Sequence, residues 1–306
     1  MDCLTDLVAL YLLRCEVEGK SPPTIRAYRE TLSRFLDAVE VEQPDEVTAE
    51  QLYRYLGRFT HLSLETRHRY FREVRCFFNW LVDNAYLERS PFRGMRNVRL
   101  PQRLVEPFAP EEIASLLDCC DTTPVGLRDR ALLLVLLDTG ARCSEVVQLS
   151  VSDLNLEGRR LRIRFGKGNK QRVVPFADRC EASLRAYVAV RGLQPGPLFL
   201  AATGHRRLTI DTALQPNGLK QMLRRLGRTA GVRKVHAHRF RHTFATWAIQ
   251  HDARELDVQY LLGHSSPDMV RRYSSTYRSE QAAMRHAAFS PGDQMTSHIG
   301  VDVSTI

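Results

Sequence analysis

Residues 238–273 read HRFRHTFATWAIQHDARELDVQYLLGHSSPDMVRRY. Phe240, Phe244 and Trp247 recur at helical spacing, while His238 and Arg241, three apart, share the other face. The pattern predicts a helix over about 239–250 that buries its aromatic side and turns a histidine and an arginine toward one place. His236 and His242 compete for the same role; the i, i+3 relation to Arg241 favours His238, and His242 is a candidate for a structural part. A short helix over about 254–262 follows, and Gly263 suits a left-handed C-terminal cap. Ser266-Pro267 is a good N-cap and first-turn pair for a further helix over about 267–273. His264 then falls in a corner between two helices, with Tyr273 two turns into the second. In one unbroken helix nine residues would place them on opposite faces, and the corner removes that objection. Taken alone, a tyrosine at a helix end is an ordinary packing residue.

Upstream, LRDRALLLVLLDTG (127–140) predicts a strongly apolar helix ended by Gly140, and ARCSE (141–145) opens another. Arg142 stands at that opening, where backbone N–H groups and a guanidinium make an anion site. A salt-bridged structural arginine reads the same in isolation. Glu145, three residues on, reads as a buttress. RRLRIRF and QRVVPF flank the turn GKGNK (166–170), a β-hairpin signal. Leu161, Ile163 and Phe165 alternate with Arg162 and Arg164, so one strand face is apolar and the other basic. Lys167 on the glycine-flanked turn can reach a phosphate or protonate a leaving oxygen, or simply sit in solvent. Pro110-Glu111-Glu112 opens a helix near the start of this domain, and more helices are predicted at about 180–192 and 216–230.

The first hundred residues predict helices throughout. Residues 2–18 are amphipathic, and Ser21-Pro22-Pro23 opens a second helix with Ile25, Tyr28, Leu32 and Phe35 at helical spacing. Thr48 and Ser63 are candidate caps for a third and a fourth. SPFRGMRNVRLPQRLVEPF (90–108), rich in proline and arginine, reads as an extended basic linker. The expected fold is mainly α, an α+β chain. A helical N-terminal domain (1–97) and a basic linker (98–107) precede a C-terminal mixed α/β domain (108–290) with a small β-hairpin sheet, and a tail (291–306) follows.

The 306 residues carry a net charge of +9. Residues 1–100 hold 15 basic and 15 acidic side chains, so the excess lies in 101–306, with 29 basic against 20 acidic. Within the first domain, 54–99 has ten arginines and four acids, while 37–50 has six acids and no base. That asymmetry suggests an oriented nucleic-acid face, although a solvated helix face has the same charge pattern. Seven cysteines with no CxxC pair argue against a disulfide framework and a zinc site. No apolar run approaches a membrane span, and the amphipathic start lacks the features of a signal peptide, so a cytoplasmic protein without membrane contact is expected.

Together, TGARCSEVVQL, GKGNKQRVVPF, HRFRHTFAT and LGHSS, in this order before a tyrosine, resemble the tyrosine recombinase (phage integrase) family, and its Xer-like members most closely. SPPTIRAYRETLSRF is similar to the family's helical core-binding domain. The resemblance spans nearly the whole chain. The family's pattern of Arg, Lys, His-x-x-Arg, His or Trp, and Tyr is matched by Arg142, Lys167, His238, Arg241, His264 and Tyr273. HRFRH departs from it slightly, with Arg239-Phe240 where Asp-Leu is common.

The resemblance implies a SAM-like four-helix N-terminal domain and a catalytic second domain. It implies a site-specific DNA recombinase that cuts and rejoins strands through a 3′-phosphotyrosyl link and a free 5′-hydroxyl. Tyr273 would be the nucleophile, Arg142 and Arg241 the phosphate clamps, and Lys167 a general acid. His238 would be a general acid or base and His264 a hydrogen-bond donor. Both domains would clamp double-stranded DNA at a specific core site. Four protomers would assemble on two sites, with room for a paralogous partner or a directionality factor. Ser279–Phe289 is the candidate helix for packing on a neighbour. No cofactor and no metal are expected: several cations already neutralise the phosphate, the covalent link conserves the phosphodiester energy, and no GxxxxGK[ST] loop is present. A type IB topoisomerase-like enzyme and a catalytically vestigial architectural DNA-binding protein are the alternatives, and Tyr277 is the competing nucleophile. The chain begins directly at the core-binding helices, which favours a simple recombinase over an arm-dependent integrase. Integration, excision and dimer resolution all stay open as its role.

Overall fold

The computed structural model describes residues 3–101, 106–164, 171–203, 207–263, 286 and 290–292. The chain divides into two compact units, Met1–Arg103 and Leu104–Ile306. No helix among the described residues is long and apolar enough to cross a membrane.

The first unit consists of α1 (Leu4–Val17), α2 (Pro22–Leu36), α3 (Ala49–Gly57) and α4 (Leu64–Asp83), and its described residues contain no strand. The starts are set locally. Pro22 and Pro23 occupy the first turn of α2, where a missing N–H costs no intrahelical bond. Thr48 and Gln51 form a capping box on α3, and the Ser63 hydroxyl accepts from the Thr66 N–H at 3.3 Å on α4. Leu4, Leu7, Val8, Tyr11 and Cys15 put one face of α1 into an aromatic core, in which Phe35 packs edge-to-face on Tyr55 and Phe78.

The segment from Ser90 departs from the extended linker that its prolines suggest. Phe92 and Met95 are buried in the core of the first unit, with the Phe92 ring 5.1 Å from that of Phe71. Two apolar anchors three residues apart outweigh the breakers around them. Arg58, Arg72, Arg75, Arg89, Arg93 and Arg96 stay exposed.

The second unit contains α5 (Pro110–Asp118), α6 (Pro124–Thr139), α7 (Cys143–Val147), β1 (Leu154–Asn155), β2 (Arg160–Ile163), β3 (Arg172–Pro175), α8 (Asp178–Arg191), β4 (Leu200–Thr203), β5 (Arg207–Ala213), α9 (Pro216–Thr229), α10 (Ala237–Gln250) and α11 (Glu255–Leu262). Every residue from Ala131 to Leu136 on α6 is buried, and α8 and α10 pack against this helix. A helix apolar all round belongs in a core. Gly140 ends it in the left-handed conformation (φ 56°). A Cβ there would lie 2.6 Å from Leu262 Cδ2 and 2.8 Å from Phe244 Cδ1, so glycine also lets α10 and α11 approach.

β1, β2 and β3 form an antiparallel sheet in that order, with Leu161 opposite Val174 and Ile163 opposite Arg172. Leu161, Ile163 and Val174 are buried, while Arg160 and Arg162 are exposed, as the alternation predicts. Arg164 does not stay a free member of the basic face: it pairs with Asp153 and donates to Ser152 Oγ at 2.9 Å. The second hairpin, β4–β5, has no counterpart in the sequence reading. Most β5 side chains are exposed or half-buried, so its sequence lacks an apolar alternation.

Candidate active site

Arg142, His238 and Arg241 are brought together by the packing of α6, α7, α10 and α11. Lys167, His264 and Tyr273 lie outside the described residues. So do the competitor Tyr277, the helix expected over 267–273 and, His286 apart, the Ser279–Phe289 segment.

Arg142 is the N-cap of α7 and remains partly exposed. Its Nη1 donates to Glu145 Oε1 and its backbone N–H to Glu145 Oε2, both at 2.8 Å. Glu145 therefore buttresses it, as its spacing suggests. One consequence differs from the expected anion site: the Arg142 N–H is already used by Glu145, so Arg142 can meet a phosphate only through its guanidinium.

Arg241 extends from α10 into the junction of two helix ends. Nη1 donates to the Gly140 carbonyl at 2.8 Å and Nη2 to the Leu262 carbonyl at 2.7 Å. These carbonyls lie at the C-terminal, electronegative ends of α6 and α11. The side chain is buried, at 3% exposure for the residue, so its orientation is set by backbone rather than by solvent.

His238 stands in the first turn of α10 and is exposed as a residue, its ring only partly desolvated. Its Nε2 lies 3.0 Å from Nε2 of His242, and the two rings meet edge to face at 4.5 Å. Burial first, then the charges of Arg241, His236 and Arg142, push its pKa below the usual 6.5. These influences favour the neutral form of the His238 imidazole. His236 has a capping part: its Nδ1 accepts from the Arg239 N–H at 3.1 Å, so it is the N-cap of α10. The expected aromatic burial is also present. Phe240 is fully buried, its ring 4.7 Å from Phe108, and Phe244 and Trp247 pack at the core's edge.

Two arginines had no assigned part in the sequence reading. Arg239, at the position where Asp is common in the family's motif, is buried. It pairs with Glu112 at 2.7 Å, donates to the carbonyls of Glu106, Pro107 and Arg233, and lies 3.9 Å over the Phe108 ring. Arg172 forks onto Glu145, with Nη2 to Oε2 at 2.7 Å and Nη1 to Oε1 at 3.1 Å. A signal for Arg172 was present: Arg172, Val174 and Phe176 alternate, which places the arginine on the strand's inward face.

The Phage integrase family matches residues 107–280, and the Phage integrase, N-terminal SAM-like domain matches residues 7–88. The chain is 33% identical to tyrosine recombinase XerC of Myxococcus xanthus over 299 residues, covering 90% of this chain and 94% of that one. It is 30% identical to tyrosine recombinase XerC of Pelobacter propionicus over 286 residues, covering 90% and 92%. Among solved structures, the XerH site-specific recombinase in a post-cleavage complex with a palindromic difH substrate is similar. There the TM-score is 0.68 at 26% identity, covering 86% of this chain and 79% of that one.

Proposed function

The chain belongs to the phage integrase family as a tyrosine-type site-specific DNA recombinase, and we propose that Tyr273 is the nucleophile with which it cuts and rejoins DNA. The observation that carries this reading is the meeting of Arg142, Arg241 and His238, drawn from segments about a hundred positions apart. Two fixed guanidiniums beside an uncharged imidazole suit a phosphodiester whose negative charge grows in the transition state.

The phenol of tyrosine has a pKa near ~10 and is a weak nucleophile at pH 7 until its proton is taken or its anion stabilised. Arg142 and Arg241 favour the phenolate of Tyr273 and clamp the non-bridging oxygens. Loss of one such donor typically costs about 3–4 kcal/mol of transition-state stabilisation. Neutral His238 can accept a proton or hydrogen-bond the phosphate. Lys167 protonates the departing 5′-oxygen, and His264 donates to the phosphate. The products are a 3′-phosphotyrosyl bond and a free 5′-hydroxyl, and reversal of the same steps on a partner strand completes exchange.

The partner is double-stranded DNA, read at a specific core site by both units. Phosphate contacts from the exposed arginines supply affinity and make it salt-dependent. Four copies on two sites form the working assembly. The boundaries of the working parts are a core-binding domain at 1–97, a linker at 98–107, a catalytic domain at 108–290 and a tail from 291. All seven cysteines are free thiols, which suits the reducing cytoplasm. The relatives' names favour recombination over a topoisomerase, and the intact set of six matched residues argues against a vestigial site.

The test lets the protein select its own target. The full chain is mixed with a pool of nicked duplexes of random sequence, and DNA that stays protein-linked after denaturation is sequenced. Peptide mapping then locates the linked residue. The expected adduct is at Tyr273 on a sequence with paired inverted arms. A link at Tyr277 overturns the nucleophile, relaxation of plasmid without site preference favours the topoisomerase, and no adduct overturns the enzyme.

A further inference from the structure

Arg172 leaves β3 on its inward face with its side chain 11% exposed, and it bridges two distant parts of the chain. Both oxygens of Glu145, 27 positions earlier, accept from it. Its Nε donates to the carbonyl of Leu261, 89 positions later, at 2.7 Å. The next carbonyl, Leu262, accepts from Arg241. The last two carbonyls of α11, which no intrahelical N–H serves, are thus each held by a guanidinium. Gly263 then turns left-handed (φ 63°), and a Cβ there would lie 3.1 Å from Arg172 Nη1, so the turn leaves room for the arginine. On the other side, Glu145 is 3% exposed and accepts four hydrogen bonds, two from Arg142 and two from Arg172.

We propose that Arg172 is a positioning residue that ties Arg142, through Glu145, to the C-terminal end of α11, from which the chain runs on to His264 and Tyr273. The proposal rests on the catalytic reading above for its consequence, and not for the link itself. The phosphate clamp and the chain bearing the nucleophile come from distant segments. A planar fork that grips a carboxylate on one edge and a helix-end carbonyl on another sets their spacing in a way a point-charge lysine cannot.

The charged groups around Glu145 are Arg142 from its own helix and Arg172 from β3. On α9, packed against α7, Lys220 acts on the neighbouring Cys143 thiol. Burial would raise the Glu145 carboxyl, but the Arg172 hydrogen bond, the Arg142 N–H and both guanidinium charges outweigh it and hold it at about 2. Without Arg172 the burial is less opposed and the carboxyl rises.

The experiment uses the full chain and the nicked duplex that the wild type selects. Arg172→Gln is expected to slow adduct formation roughly ten- to a hundredfold. Its pH profile should gain a further acid step, below the limb set by His238, as Glu145 titrates, and methylguanidinium should restore part of the rate of Arg172→Ala. A packing role alone lowers the rate equally at every pH and gives no rescue, which overturns the proposal.

A second readout needs no DNA. Glu145→Gln, whose changed group bonds to Arg142 and Arg172, is expected to speed amide hydrogen exchange at 258–263 several-fold while α8 keeps its protection. Unchanged exchange there in both Glu145→Gln and Arg172→Gln overturns the link. If the wild type forms no adduct, the catalytic reading fails and the exchange result still decides the link.

Discussion

His238 and His242, one helical turn apart on α10, meet Nε2 to Nε2 at 3.0 Å. Such a contact needs one ring Nε2 to donate and the other to accept. At pH 7, ring-nitrogen NMR of the labelled chain is expected to show one Nε2 protonated and the other bare. Two protonated Nε2 atoms at that pH contradict the pairing. His242→Phe should leave His238 without a fixed tautomer and lower the rate of adduct formation by about tenfold.

The depressed pKa of His238 sets a pH window. Its folded-state value lies below 6.5, so the unfolded chain binds the extra proton first. The contribution of His238 to stability is complete above the unfolded value of 6.5 and is lost as pH falls from there through the lower folded value. Activity follows the same direction, because the protonated ring can no longer accept a proton. Adduct formation measured from pH 5 to 8 is expected to be flat at neutral pH and to fall on an acid limb centred below 6.5. A limb centred at 7 or above contradicts the neutral imidazole.

Gly140 joins three helices at one point. Gly140→Val forces a β-branched residue to φ 56° and drives a Cβ into Leu262 and Phe244. Urea unfolding should show a loss of roughly 3 kcal/mol. Adduct formation should also fall, because Arg241 is aimed by the Gly140 carbonyl. Gly57→Ala at the end of α3, where an added Cβ meets nothing within 4 Å, is the control and is expected to stabilise slightly.

Arg239 binds the start of the second unit to α10. Arg239→Leu leaves the carbonyls of Glu106, Pro107 and Arg233 without this donor and removes the cation above Phe108. A loss of roughly 3 kcal/mol in thermal or urea unfolding is expected. Lysine should recover little of it, since one ammonium cannot replace a fork spread over four acceptors. A variant as stable as the wild type would show that these bonds contribute nothing net.

Much of this was legible in local patterns. Thr48, Ser63 and the Pro22-Pro23 pair mark helix starts because capping and proline act within four residues. Gly140 and Gly263 mark helix ends for the same reason. The burial of Phe240 and the shared face of His238 and Arg241 follow from the helical period. Phe92 and Met95 were hidden by the breakers around them, and β4–β5 by its missing alternation.

By itself, the sequence determined which helices form, where they stop, and which cations and imidazoles are available for phosphate chemistry, because those depend on periodicity and on neighbours within a turn. Tertiary structure alone decided what each cation holds. Arg241 fastens two helix ends, Arg239 fastens the unit's first segment, Arg172 fastens Glu145 to α11, and His242 sets the partner of His238. A buried guanidinium must satisfy its donors wherever acceptors converge, and that convergence exists only once segments a hundred residues apart have packed together.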